Sequence, residues 1–477
     1  MWSSLPSFVA VYPEMILVVV ASFMVLADRW IKAKDFFTWL TLITAGVVCA
    51  VVFWTNGATF GAAYAADKYA LFFKMIFLLA LFLSTLISPG FARLVGIHFG
   101  EYYGLMMFAV TGMMLMASAK DLILLYVGLE LMSLSIYVLA GLVYAELRSL
   151  EGAMKYFLLG SFASAFLLLA MTYLYGLTGT TYIEPIAKRL FEYGLVGNRA
   201  LLFSVVLFVV AFGFKVALVP FHMWAPDVYE GAPTPITAFM SVGAKAAGFA
   251  AMGRVFLVAL SWAQADWVDF FAPLVVLTCF VGASLAVVQT NIKRMLAYSS
   301  VTHAGYAILG VIAGTQEGMA ATMMYLFIYA LMNIGAFGIV VLLRRKDFIG
   351  ENISDYQGLS KTHPTVAFLM LLFLFSLTGI PPTAGFIGKF FVFRAAFEAG
   401  HPYLVLAAVL ASCIAAYPYL RIVMLMYMKP PEQEVSLSLT PYLWASLAFS
   451  VVGVIIFGIW PGPLIDFARA CCAGFLP

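Results

Sequence analysis

Long uncharged runs, almost wholly apolar, recur along the entire chain; Met15–Val25, Leu369–Leu377 and Val451–Ile459 are three of them. A span of the hydrocarbon layer needs roughly 20 apolar residues. Inside lipid every backbone N–H and C=O must find its partner within the protein, which leaves helices or a closed barrel. Barrel strands alternate apolar and polar residues, and these runs do not. The chain therefore reads as an all-α polytopic membrane protein. Composition agrees: of 477 residues, 64% are hydrophobic and 10% are charged, against about 25% charged in soluble domains.

Hydropathy places about 14 spans, at 8–26, 37–55, 69–88, 103–118, 121–143, 153–177, 200–224, 235–260, 268–289, 294–313, 319–343, 364–399, 402–428 and 440–460. The stretch 364–399 is read as one interrupted helix. The first basic residue, Arg29, follows the first apolar run. A secretory signal carries its positive charge before that run, so the first span is expected to be retained.

Basic residues orient the spans. One set of alternating loops holds Arg29, Lys32, Lys34, Arg93, Arg148, Lys293, Arg294, Arg344, Arg345, Lys346, Lys361, Arg421 and Lys429. The other holds Lys68, Lys120, Lys188, Arg189, Arg199, Arg254 and Arg469. The richer set is expected in the cytoplasm, which puts both termini on the periplasmic side of a bacterial inner membrane.

Several function classes are excluded. There is no large extramembrane domain and no nucleotide-binding loop, so energy must come from an ion gradient or a partner subunit. A net charge of +3 is too weak to argue for nucleic acid. Cys49, Cys279 and Cys413 are scattered and Cys471 and Cys472 adjoin; clustered thiolates for a metal or iron–sulfur site are not expected. No catalytic triad or quinone-reducing cofactor site is legible.

Ionisable residues inside spans are costly and mark function. Lys74, Lys155, Lys215, Lys245, Lys389 and Arg394 fall within spans, as does one central acid, Glu130. Glu130 lies nine residues beyond Asp121, roughly 13 Å deeper along a helix, and there it needs a basic partner or water. Lys215 precedes Pro220, whose missing N–H releases the carbonyl at Val216; that carbonyl is expected to solvate the ammonium. Lys245 sits among small residues that leave room for water. Lys389 follows a second break at Pro381–Pro382. His222 is read equally as a relay or as packing, and His303, beside Ser299, Ser300 and Thr302, as holding a water chain. Lys155 lies near the start of its span and could snorkel; Lys74 and Arg394 are expected to do so. A faint repeat aligns Lys155, Leu158 and Ser161 with Lys293, Leu296 and Ser299, and paired helix interruptions point to a transporter's path.

Four segments carry a resemblance. Leu129–Leu134 (LELMSL), Gly213–Pro235 (GFKVALVPFHMWAPDVYEGAPTP), Asn291–Ser300 (NIKRMLAYSS) and Gly379–Lys389 (GIPPTAGFIGK) resemble the antiporter-like membrane subunits of respiratory complex I, the NADH–quinone oxidoreductase. The likeness covers essentially the whole chain, and the segment around Lys215 is its most specific part. It implies 14 helices with the seventh and twelfth interrupted. Residues 1–100 would hold three N-terminal helices, 103–260 and 268–428 two inverted five-helix repeats, and 440–460 the last helix, without the lateral helix of the largest paralogue. It implies that Glu130, Lys215, Lys245, Lys389 and Lys155 are the family's proton-relay residues. It implies partners too: paralogous antiporter-like subunits in the bilayer, and subunits that carry NAD, FMN, iron–sulfur clusters and quinone, with no cofactor in this chain.

The expected mechanism is proton translocation driven by quinone reduction elsewhere. Protons load Lys215 and Lys245, pass polar residues and water near His303 to Lys389, and leave on the far side. Glu130 gates loading by pairing with Lys215 or releasing it. At 4 Å and an effective dielectric of 20 such a pair is worth about 4 kcal/mol, or about three pKa units. The alternatives are a subunit of a multisubunit cation/proton antiporter and a non-transporting scaffold; the second gains nothing from intramembrane charge.

Overall fold

The computed structural model describes residues 8–97, 99–344, 350–431, 437 and 440–476; Arg345 and Lys346, counted above among the loop charges, lie outside them. All fourteen expected spans coincide with helices. They are α1 (Tyr12–Ala27), α2 (Asp35–Trp54), α3 (Lys68–Val95), α4 (Phe99–Ser118), α5 (Leu122–Ala140) and α6 (Leu147–Thr178). A short surface helix, α7 (Ile183–Glu192), leads to the broken pair α8 (Arg199–Val216) and α9 (Trp224–Gly231), then to α10 (Thr234–Met252), α11 (Gln264–Val287), α12 (Ile292–Ile312) and α13 (Gln316–Leu343). After a turn, α14 (Leu359–Thr362), come the second broken pair, α15 (Pro364–Thr378) and α16 (Ala384–Glu398), then α17 (Pro402–Met428), α18 (Pro441–Ile459) and α19 (Gly462–Cys472). Twelve helices among the described residues are long and apolar enough to cross a membrane by themselves. The small hairpin Gly57–Thr59/Tyr64–Ala66, α7 and α19 were not foreseen, being too short to leave a hydropathy signal.

Helix ends follow local chemistry. Asp67 caps α3 through Ala70 N, Asp121 caps α5 through Ile123 N and Leu124 N, and Asn291 caps α12 through Lys293 N and Arg294 N. Each carboxylate or amide satisfies donors that the first turn leaves free. Gly96 (φ 74°) and Gly179 (φ 65°) close α3 and α6 in the left-handed region.

Ion pairs join basic residues of each loop set to acids: Arg254–Asp67, Lys120–Glu184 and Arg469–Glu317 in one set, and Arg294–Asp227, Arg148–Glu230, Arg344–Glu146 and Lys34–Asp28 in the other.

Every residue of α10 is buried, and nearly all of α12 and α13. These three form the centre, with α1, α2, α6, α11, α17 and α18 outside. α4 and α5 touch through backbone: a Cβ on Gly112 would meet Met132 N at 2.4 Å and Gly128 O at 2.5 Å.

Candidate functional site

Both interruptions are where the sequence puts them. α8 stops at Val216 and Ala217 turns left-handed (φ 62°); α9 resumes at Trp224, whose indole N–H donates back across the gap to Phe214 O at 2.9 Å. α15 stops at Thr378 with Gly379 left-handed (φ 87°), and α16 resumes at Ala384.

The carbonyl freed by a break does solvate a lysine, but at the second break. Lys389 Nζ donates to Thr378 O at 2.8 Å and to Ser412 Oγ at 3.1 Å. Lys215 instead donates to Ser133 Oγ on α5 at 2.7 Å. Helical side chains lean toward their own N-terminus. Lys389 follows its break and leans back into it; Lys215 precedes its break and leans away.

Lys245 sits in the middle of the core. It donates to Ser300 O at 2.8 Å and to Ser300 Oγ. The preceding residue, Ser299, shares a hydrogen bond with Tyr419 OH, and Tyr419 OH lies 3.3 Å from His303 Nε2. His303 Nδ1 meets Tyr325 OH. α12 and α17 supply groups to both lysines: Ser300 of α12 to Lys245, and Ser412 of α17 and the Tyr306 ring of α12 to Lys389. His222 lies buried between α8 and α9, with Nδ1 lacking a hydrogen-bond partner among the described residues.

Two expectations need correction. Glu130 is not deeply buried. It is half-buried on α5, on a face where Val127 and Leu134 are about half exposed. Among the described residues no cation lies within 4.0 Å of it, and its Oε1 is buried without a partner. The depth along α5 was right, but periodicity does not tell which side of a helix meets the rest of the chain. Lys74 is not at an interface. It is 1% exposed and bonds to Glu14 Oε1 at 2.8 Å and to Tyr64 OH at 2.7 Å; Tyr64 OH also donates to Glu14. Opposite charges at similar depth in the first and third spans were the available signal.

Lys155 joins no buried chain. Its side chain is 43% exposed and pairs with Asp227 and Glu151, each at 2.7 Å. Asp227 also binds Arg294, which binds Glu230, and these groups line a cavity of about 210 Å³. Arg394 stays at the surface with Glu398. Two basic residues assigned to loops are buried. Lys293 donates to Ala232 O at 2.9 Å beside Glu351, and Arg254 pairs with Asp67 at 2.8 Å. Burial raises the Asp67 carboxyl pKa, but the Arg254 guanidinium overcomes this and holds it below the usual carboxylate range.

The buried lysines thus divide into two kinds. Lys74 and Lys293 lie beside carboxylates. Lys215, Lys245 and Lys389 hydrogen-bond only to hydroxyls and carbonyls, with no carboxylate within 4.0 Å among the described residues.

Known proteins match this arrangement. Residues 119–415 match the family described as NADH:quinone oxidoreductase/Mrp antiporter, TM. NADH-quinone oxidoreductase subunit N 2 of Rhizobium meliloti (strain 1021) is 46% identical over 467 residues, covering 97% of each chain. Subunit N of Trichlorobacter lovleyi is 46% identical and covers 96% of each. A chain of respiratory complex I from Thermus thermophilus with bound Aureothin superposes with a TM-score of 0.82 at 30% identity, over 95% of this chain and 98% of that one. The chain belongs to the antiporter-like membrane subunits of NADH-quinone oxidoreductase, in the subunit N branch of that family.

Proposed function

We propose that this chain carries protons across a bacterial inner membrane along the line Lys215, Lys245, His303 and Lys389, with quinone reduction in partner subunits as the driving force. The carrying observation is that three buried lysines have only neutral hydrogen-bond partners among the described residues. An isolated buried charge is very costly, so such an ammonium gives up its proton at less cost than one held in a salt bridge. A scaffold would gain nothing from three such groups.

Glu130 has a modified role in this reading. It sits one helical turn before Ser133, the acceptor of Lys215, and acts from the side of the path. Rotation of α5 or a neighbouring subunit would bring it to the lysine or withdraw it. Lys155 and Asp227 form a charged mouth that feeds His222 and Lys245. The mouth faces the cytoplasm, both termini are periplasmic, and residues 103–260 and 268–428 act as two inverted repeats. Other complex I membrane subunits, including paralogous antiporter-like ones, flank the chain; NAD, FMN, iron–sulfur clusters and quinone reside in partners.

The test is proton pumping by the whole complex in proteoliposomes. Lys245→Ala is expected to assemble and to lose most pumping per electron transferred. Full pumping by a correctly assembled Lys245→Ala complex would overturn the reading.

A further inference from the structure

One face of α16 carries Phe386, Phe390, Phe393 and Phe397, spaced as neighbours along one side of a helix. They wall a groove of about 560 Å³. The facing wall is α17, which offers Val405 and Val409 and, deeper in, the small residues Ser412, Cys413 and Ala416. Phe390 is 49% exposed and Phe397 61%, so the groove opens sideways from the bundle. Its inner end holds Lys389 and Thr378, and its rim holds Arg394. From Phe386 to Phe397 the wall runs roughly 16 Å along the helix. That is close to half of the roughly 30 Å hydrocarbon core, the depth of one leaflet.

Arg394 also borders a second cavity, of about 210 Å³, on the neighbouring face of α16. That cavity gathers two basic and two acidic side chains: Arg394, Arg469, Glu317 and Glu398. Glu317 stands in the first turn of α13 and Glu398 ends α16, so the charges sit at the ends of the helices. They pair as Arg394–Glu398 at 2.7 Å and Arg469–Glu317 at 3.0 Å, each side chain about half exposed. Half-exposed pairs add little stability, so stability alone does not account for four charges at the head of an apolar groove. Two charges of each sign favour neither a purely anionic nor a purely cationic ligand. They match a zwitterion that carries a phosphate and a primary ammonium. Guanidinium groups suit phosphate, and an ammonium has three N–H donors for the carboxylates, which a trimethylammonium lacks. A protein helix is a poorer fit, because helices in bilayers pack closely over small residues and four phenylalanines hold a second backbone away.

We propose that the α16–α17 groove and the charged cavity beside it form a binding site for one phospholipid with a phosphoethanolamine head group. The phosphate lies between Arg394 and Arg469, and the ammonium faces Glu317 and Glu398. One acyl chain enters past Phe397, Phe393 and Phe390 and ends near Lys389. Burial of the chain against the rings supplies affinity, and the four charges supply the choice of head group. The chain closes the side from which Lys389 is 6% exposed and leaves its bonds to Thr378 O and Ser412 Oγ in place. The site does not depend on the proton-path reading, because neither arginine belongs to that path.

The experiment uses the assembled complex in proteoliposomes doped with a phosphatidylethanolamine that carries a diazirine in its acyl chain. Matching probes carry a phosphatidylglycerol or a phosphatidylcholine head. After illumination the labelled peptides are mapped by mass spectrometry. The ethanolamine probe is expected to label residues 386–413 severalfold more than either other probe. Arg394→Gln with Arg469→Gln is expected to abolish that preference. Val409→Trp, which fills the groove, is expected to lower labelling there severalfold while other lipid-facing segments keep theirs. These side chains are exposed, so assembly should survive, and Cys413→Phe replaces Val409→Trp if it does not. Equal labelling by the three probes would mean ordinary bilayer lipid and would overturn the proposal. So would a preference that survives the double arginine change. Unlabelled residues 386–413, with Cys413 cross-linking to another polypeptide instead, would show a protein in the groove and overturn it too. None of these outcomes bears on pumping by Lys245→Ala, so the lipid site and the proton path fail separately.

Discussion

Lys215 gives its hydrogen bond to Ser133 and not to Glu130, although both acceptors sit on the same helix one turn apart. The lysine and the glutamate are thus arranged as neighbours without being a pair. Coulomb energy between unit charges falls from about 4 to about 2 kcal/mol when their separation grows from about 4 to about 8 Å at a dielectric of 20. A small rotation of α5 would change the lysine's affinity for its proton by more than a factor of ten.

Glu130→Gln tests this directly. The amide keeps the size of the side chain and removes its charge. The variant is expected to assemble normally and to pump at least tenfold more slowly, while Glu130→Asp retains part of the activity. Normal pumping in Glu130→Gln would show that the charge plays no part.

The Glu14–Lys74 pair makes a stability prediction. Both side chains are 2% exposed, and removing one partner of a buried ion pair costs about 3–5 kcal/mol. Lys74→Met is expected to lower the melting temperature of the complex or its yield. The double change Glu14→Gln/Lys74→Met is expected to recover much of that loss, because no buried charge is then left alone. A double variant as unstable as Lys74→Met would refute the pairing.

Gly112→Ala probes the backbone contact of α4 with α5. The added methyl would sit 2.4 Å from Met132 N, so the helices must part, at a cost of about 1–3 kcal/mol. Because Glu130 and Ser133 flank the contact, pumping is expected to fall along with stability. Cross-linking between α4 and α5 would report the separation.

Asp67 supplies a pH dependence. Its folded pKa is depressed, so the unfolded chain binds the extra proton, and the stabilisation is present above the unfolded value of about 3.9 and is lost as pH falls through the folded value. Melting temperature is expected to drop between pH 5 and pH 3, both roughly placed around these values. Asp67→Asn should be less stable at neutral pH and lose part of that drop. An unchanged profile in Asp67→Asn would remove Asp67 as its source.

Lys155→Ala separates mouth from path. A half-exposed ion pair contributes at most about 1 kcal/mol, so stability should hardly change, and pumping should fall less than in Lys245→Ala. Equal losses in the two variants would move Lys155 into the path itself.

The sequence by itself determined the fourteen helices, their breaks and the candidate lysines. Continuous apolar runs admit only helices in lipid, prolines stand at both breaks (although Pro89, Pro273 and Pro418 lie inside continuous helices), and a charge inside a span is visible because it is rare. It could not show which face of a helix turns inward. The depth of Glu130 was legible but its half-exposed position was not, since α5 is apolar nearly all round and carries no periodic signal. Nor could it show pairing between distant spans. Lys74 and Lys215 look alike in the sequence, and only tertiary packing gives one a carboxylate and the other a serine. On the proposed proton path, that distinction separates a structural charge from a relay charge, because the free energy of a buried ammonium is decided by the groups that reach it from other helices.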